Sequence, residues 1–310
     1  MSESLRRRAG FKKHLHTVWP GRKVEPNFQI VVAGGDGTPQ WLADASAMVP
    51  EWRADVRDVY MRWAITINAM DVARERYAAN QVLGLETRSL RTNRLGRTEF
   101  RVLDTWTALD TARNYELATP LLAAYGFADL YGLFEEIVFE LYLIFLNGNP
   151  ERLMRGDEFR ELRRAHKNRN AGPAAAEEWE AAWADRLSKW RHKRGYDGLH
   201  NVFASLYRDS GLKRPSDYKL TDVSDWCKMI QAVGELRNLI THGVGDVSPK
   251  LAEYSMNIPS DVFSFTVGYT LKVDLMHLMF LESFLDQMLS AVSGSLLERA
   301  YGPVLSLSPE

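Results

Sequence analysis

The feature that most constrains the fold is a run of apolar residues at helical spacing in the middle of the chain. Within residues 120–146, apolar side chains recur every three or four positions, at Leu130, Leu133, Phe134, Ile137, Leu141 and Ile144. This spacing gathers them on one broad face of an α-helix, which must be buried against other elements. The pattern ends at Asn147-Gly148-Asn149-Pro150, residues typical of a helix terminus. The sequence therefore predicts a long buried helix.

Helical periodicity also covers most of the remaining chain. A helix is predicted from Pro50 to about residue 85, because the register of Trp52, Val56 and Ile67 keeps one face apolar. Further helices are predicted at about 99–118, 151–195 with a break at 170–173, 197–210, 222–242 and 271–300. Residues 86–98, rich in arginine, threonine and asparagine, are predicted to form a loop.

Strand-like composition is confined to two short segments, 28–33 and 262–267. The predicted fold class is therefore mostly α, an antiparallel helical bundle with an N-terminal helical extension and minor β pieces. We expect a helical domain over residues 118–300. Residues 1–117 would supply a basic arm, over about the first 26 residues, and a helical region of unknown role.

The composition of the 310 residues excludes several classes of protein. Hydrophobic residues make up 45% and charged residues 25%, a balance typical of soluble globular chains. The net charge of −1 gives no general argument for binding nucleic acid. The most apolar stretch, 137–146, is much shorter than the ~20 residues that a membrane-spanning helix needs. No apolar segment follows Arg6-Arg7-Arg8, so we expect no signal peptide.

The single cysteine, Cys227, excludes an intramolecular disulfide and a zinc site built from several cysteines. We therefore expect a reducing compartment and a cytoplasmic location. His14-Leu15-His16 has no Cys, Asp or Glu nearby in the sequence, so no metal site is predicted there. No cofactor is expected.

The residues best suited to chemistry lie at the end of the helix predicted at 222–242. The sequence from Glu235 to Gly245 is Glu-Leu-Arg-Asn-Leu-Ile-Thr-His-Gly-Val-Gly. Helical spacing puts Asn238 and His242 on one face, so that the amide can orient the imidazole. Arg237 lies about 140° from His242 around the helix axis, so both can border one cleft. The glycines are expected to end the helix directly after the histidine.

A guanidinium, an imidazole and a polar amide can together cleave a phosphodiester without a metal. The histidine would transfer a proton, and the arginine would stabilise the charge of the transition state. The bare spacing from Arg to His is not specific, because it recurs elsewhere, for example at Arg160 and His166. The alternative is a helix terminus in which Arg237 forms a surface ion pair and His242 caps carbonyl groups.

The segment from Glu235 to Val247 resembles the signature of the HEPN superfamily (higher eukaryotes and prokaryotes nucleotide-binding), with Arg-Asn-x-x-x-His followed by a glycine turn. The order of predicted elements agrees over about residues 118–295. The resemblance implies an α-helical, metal-independent endoribonuclease with Arg237, Asn238 and His242 as the catalytic residues. Many HEPN proteins act in toxin–antitoxin, phage-defence or RNA-processing systems.

This resemblance implies cleavage of RNA by attack of the 2′-hydroxyl group, with an antitoxin or sensor protein as a candidate partner. Because some HEPN proteins lack nuclease activity, the alternative is a catalytically silent module that binds nucleotide, RNA or a protein. A homodimer is expected, because a second motif would supply a second imidazole. The closing helix also has more apolar residues than we expect one protomer to bury: Leu275, Leu278, Met279, Phe284 and Leu285.

Additional substrate contacts are predicted in the basic segment 186–194. Lys189, Arg191 and Arg194 could follow the phosphates, and Trp190 could stack on a base. A solvent-exposed helix face is an equal alternative for this segment. Thr241, next to the motif histidine, is a further candidate for substrate binding.

Two other features have weaker functional interpretations. Glu136 and Glu140 share one face of the central helix, and one of them could pair with Arg237, although solvent exposure is the alternative. Gly34-Gly35-Asp36-Gly37-Thr38 is similar to the phosphate-binding turn of diacylglycerol kinases and NAD kinases. That motif requires a parallel α/β sheet, so a tight turn is the favoured interpretation.

Overall fold

The computed structural model describes residues 32–35 and 37–303, and its first half is a long helical hairpin. Helix α1 (Gln40–Ala79) and helix α2 (Ala108–Gly148) run antiparallel and are joined by strands β1 (Gly84–Thr92) and β2 (Thr98–Thr107). Contacts along their length include the bond from Trp52 Nε1 to Glu140 Oε2 at 2.8 Å and the stacking of Tyr77 on Tyr115. The two strands therefore lie at one end of this helical pair.

The second half adds shorter helices and one long closing helix. Short 3-10 turns at Pro150–Leu153 and Asp157–Phe159 follow α2. The remaining helices are α3 (Arg160–Asn168), α4 (Pro173–Arg194), α5 (Leu199–Ser210), α6 (Val223–Thr241), α7 (Pro249–Met256) and α8 (Leu275–Tyr301). Within the described residues, no helix is long and apolar enough to cross a membrane.

The core forms where α2 packs against α1, α6 and α8. The prediction of a buried central helix is confirmed, because Leu130, Phe134, Ile137 and Leu141 are all buried. Burial of such side chains stabilises the fold by roughly 1.5–3 kcal/mol each. The mostly helical class is likewise confirmed, as are α5, α6, α8 and the break before Pro173.

Two helices extend through prolines that we expected near their ends. Helix α1 begins at Gln40 instead of Pro50, and α2 begins at Ala108 and continues through Pro120. A proline inside a helix removes one hydrogen bond and usually kinks or breaks the helix. In α1 the apolar face already begins at Trp41 and Leu42, which are buried, so packing on both sides of Pro50 holds the helix together.

The β structure lies where we did not predict it. Residues 86–98 form most of a hairpin instead of a loop, and the first part of the helix predicted at 99–118 is strand β2. Segment 262–267 contains no strand; an isolated bridge joins Asp246 to Thr270 nearby. No residue of the hairpin is fully buried: β1 alternates only between half-buried and exposed residues, and β2 is exposed along most of its length. The strands therefore lack the strong alternation of apolar and polar residues that identifies a strand in a sequence.

The predicted division between residues 117 and 118 falls inside the continuous helix α2. Helix α1 packs along both α2 and α8, and Arg53 donates two 2.8 Å hydrogen bonds to the carboxylate of Asp286 in α8. The N-terminal helix therefore shares one core with the later helices. The predicted basic arm and His14-Leu15-His16 lie outside the described residues, as does most of the strand predicted at 28–33.

The apolar surface expected on the closing helix is largely buried within the protomer. Leu278 and Leu285 are fully buried, Leu275 and Phe284 are half-buried, and only Met279 is exposed. The argument for a dimer from this helix is therefore wrong, because α1 and α2 cover the face that we expected to be free.

Candidate active site

The predicted motif occupies the last turn of α6, and the local sequence explains how it is presented. Leu236 and Leu239 are buried in the core, so the intervening Arg237 and Asn238 lie towards the helix surface. The helix ends in a Schellman motif, because the N–H of Val244 donates to the carbonyl of Leu239 at 2.9 Å.

Gly243 makes that helix end possible. Its φ of 64° lies in the left-handed region that favours glycine, and its N–H donates to the carbonyl of Ile240 at 3.1 Å. His242 is the first residue beyond the helix, and its side chain is exposed. The prediction that the glycines end the helix directly after the histidine is confirmed.

Arg237 is half-buried against the central helix α2. Its guanidinium carbon lies 5.6 Å from the centre of the Tyr131 ring, within the range of a cation–π contact. Gly234, one turn earlier on α6, allows this approach, because a Cβ at that position would lie 3.0 Å from the Tyr131 hydroxyl. The surface ion pair offered as the alternative for Arg237 is not found among the described residues.

Glu135, which was not predicted to be near the motif, lies one turn beyond Tyr131 on α2. Burial has the largest effect on the pKa of Glu135 and raises it. The positive charges of Arg237 and Arg191 lower this pKa, and the negative charge of Glu136 raises it further, so that the net direction is upwards. The carboxyl group therefore interacts with guanidinium groups from both α6 and α4. Its spacing of four residues from Tyr131 could have indicated a shared face, but the sequence gives no sign of which helices cover that face.

A cleft beside Glu135 extends the candidate site towards the end of α4. It is lined by Glu135, Glu136, Phe139, Ser188, Arg191, His192, Gly195 and Tyr196. Arg191 pairs with Glu136, and its guanidinium lies 5.2 Å from the centre of the Phe139 ring. The cleft thus places an imidazole, that of His192, in the same protomer and on the α4 side of Glu135.

The predicted hydrogen bond between the Asn238 amide group and the His242 imidazole is not formed in the described structure, although the His242 N–H donates to the backbone carbonyl of Asn238 at 3.0 Å. Asn238 Oδ1 instead accepts a hydrogen bond from Arg237 Nη1 at 3.1 Å. The helix ends at Thr241, so His242 leaves the helical geometry that would align its ring with the amide. Thr241 Oγ1 donates to the backbone carbonyls of Arg237 and Asn238, which ties the hydroxyl to the last turn.

The basic segment of α4 separates into core and surface residues. Trp190 is buried, and its ring packs edge-on against Tyr142 with centroids 4.8 Å apart, so it cannot stack on a base as we predicted. The amphipathic helix turns this aromatic inwards and the cations outwards. Lys189 pairs with Asp185, and Arg194 pairs with Asp197.

The glutamates that we expected to pair with Arg237 have other partners. Glu136 pairs with Arg191, and Glu140 accepts the bond from Trp52 in the core. The acidic residue of α2 whose pKa Arg237 lowers is Glu135, so the prediction of a partner for the arginine named the wrong glutamates.

The glycine turn near residue 35 packs against the end of α8. The N–H of Gly34 donates to the hydroxyl of Tyr301 at 2.6 Å. The sheet formed by the described residues has two antiparallel strands, so the parallel sheet that a kinase would require is not found there. The turn is a connection into α1.

No cluster of three or more His, Cys, Asp or Glu side chains suited to a metal ion occurs among residues 32–35 and 37–303. Comparisons with models of protein families, with curated proteins and with solved structures found no match. The function must therefore be inferred from the arrangement of Arg237, Glu135 and His242 alone.

Proposed function

We propose that the protein is a metal-independent endoribonuclease of the HEPN type. The observation that carries the proposal is the position of Arg237, which is half-buried over the Tyr131 ring and near enough to Glu135 to lower the pKa of its carboxyl group, five residues before an exposed histidine at a helix end. A guanidinium that lies over an aromatic ring and donates a hydrogen bond to a neighbouring amide is oriented before substrate arrives. Such preorganisation is what stabilisation of a charged transition state requires.

In the proposed reaction, the 2′-oxygen of RNA attacks the adjacent phosphorus while a base removes its proton. The bond from phosphorus to the 5′-oxygen breaks, and an acid protonates the leaving oxygen. The products are a 2′,3′-cyclic phosphate and a 5′-hydroxyl end. His242 transfers a proton, Arg237 binds the negative phosphate oxygens, and Asn238 holds the guanidinium through its 3.1 Å hydrogen bond.

The reaction uses two proton-transfer groups, and one motif contributes one histidine. We propose a homodimer in which the second motif supplies the other imidazole. This proposal rests on the chemistry, since α8 provides no large apolar face for it. His192 in the neighbouring cleft is the source within one protomer that the experiment must exclude.

The test is cleavage of a labelled RNA in excess EDTA, with analysis of the product ends. Arg237→Ala and His242→Ala should each lower the rate by about 10²–10⁴-fold, and the double variant should be scarcely worse. Arg160→Ala and His166→Ala provide the matched control, because they have a similar spacing on α3. Products that end in a 3′-hydroxyl, or full activity of His242→Ala, would contradict the proposal.

Mixing the natural protein with an inactive variant tests the dimer. If the site is composite, an excess of His242→Ala protein should lower the activity towards the square of the natural fraction, because each heterodimer lacks one of the two imidazoles. His192→Ala should leave activity intact in that case. A fully active monomer in light scattering, or loss of activity in His192→Ala alone, would contradict the composite site.

A catalytically silent binding module is the second candidate. It is favoured by the engagement of Arg237 with both Tyr131 and Asn238, which leaves fewer of its N–H groups directed at a substrate. This alternative predicts binding of RNA or nucleotide without cleavage.

A test in cells addresses the role of the proposed ribonuclease. If it is a toxin or phage-defence effector, its expression should arrest growth, and His242→Ala should relieve the arrest.

A further inference from the structure

The hairpin formed by β1 and β2 carries positive charge that the packing of the protein does not explain. Five exposed arginines lie within residues 88–101: Arg88, Arg91, Arg94, Arg97 and Arg101. The same segment has one acidic residue, Glu99, whereas the whole chain has a formal net charge of −1. The segment, which we call the arginine hairpin, is therefore a local concentration of cations.

Few of these charges are neutralised within the protein. Arg88 pairs with Glu86, and the strand register places Arg91 opposite Glu99. Arg94, Arg97 and Arg101 form no ion pair with the part of the chain that the structure describes. Like charges on a small, exposed hairpin repel each other, so these three residues disfavour the folded hairpin slightly unless an anion binds them.

The end of the arginine hairpin is a defined turn. Asn93 N–H donates to the carbonyl of Arg97 at 2.9 Å, and the Asn93 side-chain oxygen accepts from the N–H groups of Leu95 and Arg97. Gly96 adopts a φ of 74°, which closes the turn. The backbone that carries Arg94 and Arg97 is thus ordered before any ligand binds, which reduces the entropy cost of binding.

The charges are distributed around the hairpin. The register places Arg88, Leu90, Phe100 and Val102 on one face, and Arg91 and Arg101 on the other. Phe100 is 74% exposed although it is a large aromatic residue. A flat lipid surface could contact only one face, whereas a flexible strand can wrap around both faces and the tip.

We propose that the arginine hairpin binds single-stranded RNA, with the arginines contacting phosphates and Phe100 stacking on an unpaired base. Basic residues combined with an exposed aromatic ring are typical of proteins that bind single strands. The choice of RNA over DNA rests on the proposed function. Counted along α2, the base of the hairpin is about 40 Å from Glu135, at 1.5 Å per residue. The hairpin would therefore hold a long RNA while another part of it occupies the active site.

The experiment measures binding of a labelled 40-nucleotide RNA to His242→Ala protein, so that cleavage does not interfere. Arg94→Gln/Arg97→Gln/Arg101→Gln should weaken binding by about 10- to 100-fold and reduce the slope of log affinity against log salt by about 2. The control replaces three exposed cations between α5 and α6, Lys213→Gln/Arg214→Gln/Lys219→Gln, which removes the same charge elsewhere. It should have a much smaller effect.

Phe100 separates stacking from general attraction of charge. Phe100→Leu keeps an apolar partner for Leu90 across the strands but removes the ring, and should weaken binding about 5- to 100-fold. Phe100→Tyr should restore it. Melting curves of each variant verify folding. Equal affinity for a DNA duplex, or binding to vesicles with anionic phospholipids but not to RNA, would overturn the proposal.

Cleavage assays distinguish failure of this proposal from failure of the proposed function. In the otherwise unchanged protein, the triple arginine variant should raise KM for the long RNA and leave cleavage of a short oligonucleotide unchanged. RNA binding that depends on the hairpin but is never followed by cleavage would support the hairpin and contradict the ribonuclease. Unchanged binding and KM in the triple variant would overturn the hairpin alone.

Discussion

The same two helices form the best packed and the most exposed regions of the molecule. The first half of α1 and the second half of α2 bury Trp52, Phe134 and Ile137 against the other helices. The second half of α1 and the first half of α2 leave Val72 58% and Leu117 75% exposed. We call the exposed half, together with the hairpin, the arm, and the buried half the body.

The difference shows that the apolar content of a helix does not by itself determine its role. In the body, α6 and α8 cover α2, whereas in the arm half of α2 the side chains of Leu117 and Leu121 are exposed. Isolated two-stranded hairpins are marginally stable in water, so the hairpin depends on the helical pair that carries it. We therefore expect substitutions in the body to affect folding, and substitutions in the arm to affect binding.

The largest expected effect is a loss of stability from a truncation in the body. Trp52→Ala should lower the free energy of unfolding by roughly 3–5 kcal/mol, because the indole is fully buried. It also donates a hydrogen bond to Glu140. Phe100→Ala in the arm should change the same quantity by about 0.5 kcal/mol or less. Urea unfolding measures both, and equal losses would contradict the division into body and arm.

The second prediction concerns the junction between the two regions. A Cβ at Gly126 would lie 2.8 Å from Cγ of Trp63, whose indole donates a 2.9 Å bond to Asp129. Gly126→Ala should therefore cost about 1–3 kcal/mol. Gly132 on the same helix has no atom within 4 Å of its added Cβ, so Gly132→Ala should stabilise by about 0.5–1 kcal/mol. If Gly126→Ala and Gly132→Ala shifted the melting temperature in the same direction, this packing would be contradicted.

The body and the α1 half of the arm were predictable from the sequence, and the hairpin was not. Leu130 and Ile137 form a periodic pattern because one face of α2 is buried, so pattern and structure agree. In the hairpin, Leu90 and Phe100 are exposed, and because no residue of either strand is fully buried, burial imposes only a weak pattern on their sequence. The helix start predicted at Pro50 was wrong, because tertiary packing outweighed the hydrogen bond that a proline removes inside a helix.

The candidate site likewise has residues that were predictable from the sequence and residues that were not. The arginine, the histidine and the glycine helix end were visible because they are contiguous in sequence, from Arg237 to Gly243. Glu135 lies more than a hundred residues away and comes close to Arg237 only through the packing of α2 on α6. Trp190 was wrongly predicted to stack on a base, because the local sequence does not show whether an aromatic residue in a basic helix is buried or exposed.

The smallest expected effect tests whether Glu135 belongs with the site or with the core. Because burial raises its pKa, the folded state binds more protons than the unfolded state between the ordinary pKa of glutamate and the raised value. Stability should therefore fall as the pH rises through that window. Glu135→Gln removes this dependence, so its stability relative to the natural protein should improve between pH 4 and pH 7.

Activity should change in the opposite direction. Loss of the negative charge removes an electrostatic attraction on Arg237, so RNA cleavage should fall while the folded state becomes more stable at neutral pH. Urea unfolding at both pH values and single-turnover cleavage at pH 7 measure the two effects. Glu178→Gln on the exposed face of α4 controls for the loss of one negative charge. Glu135 would have no role at the site if Glu135→Gln and the natural protein showed the same dependence of stability on pH and the variant were fully active. Tyr131 and Asn238 would then be the groups that position Arg237.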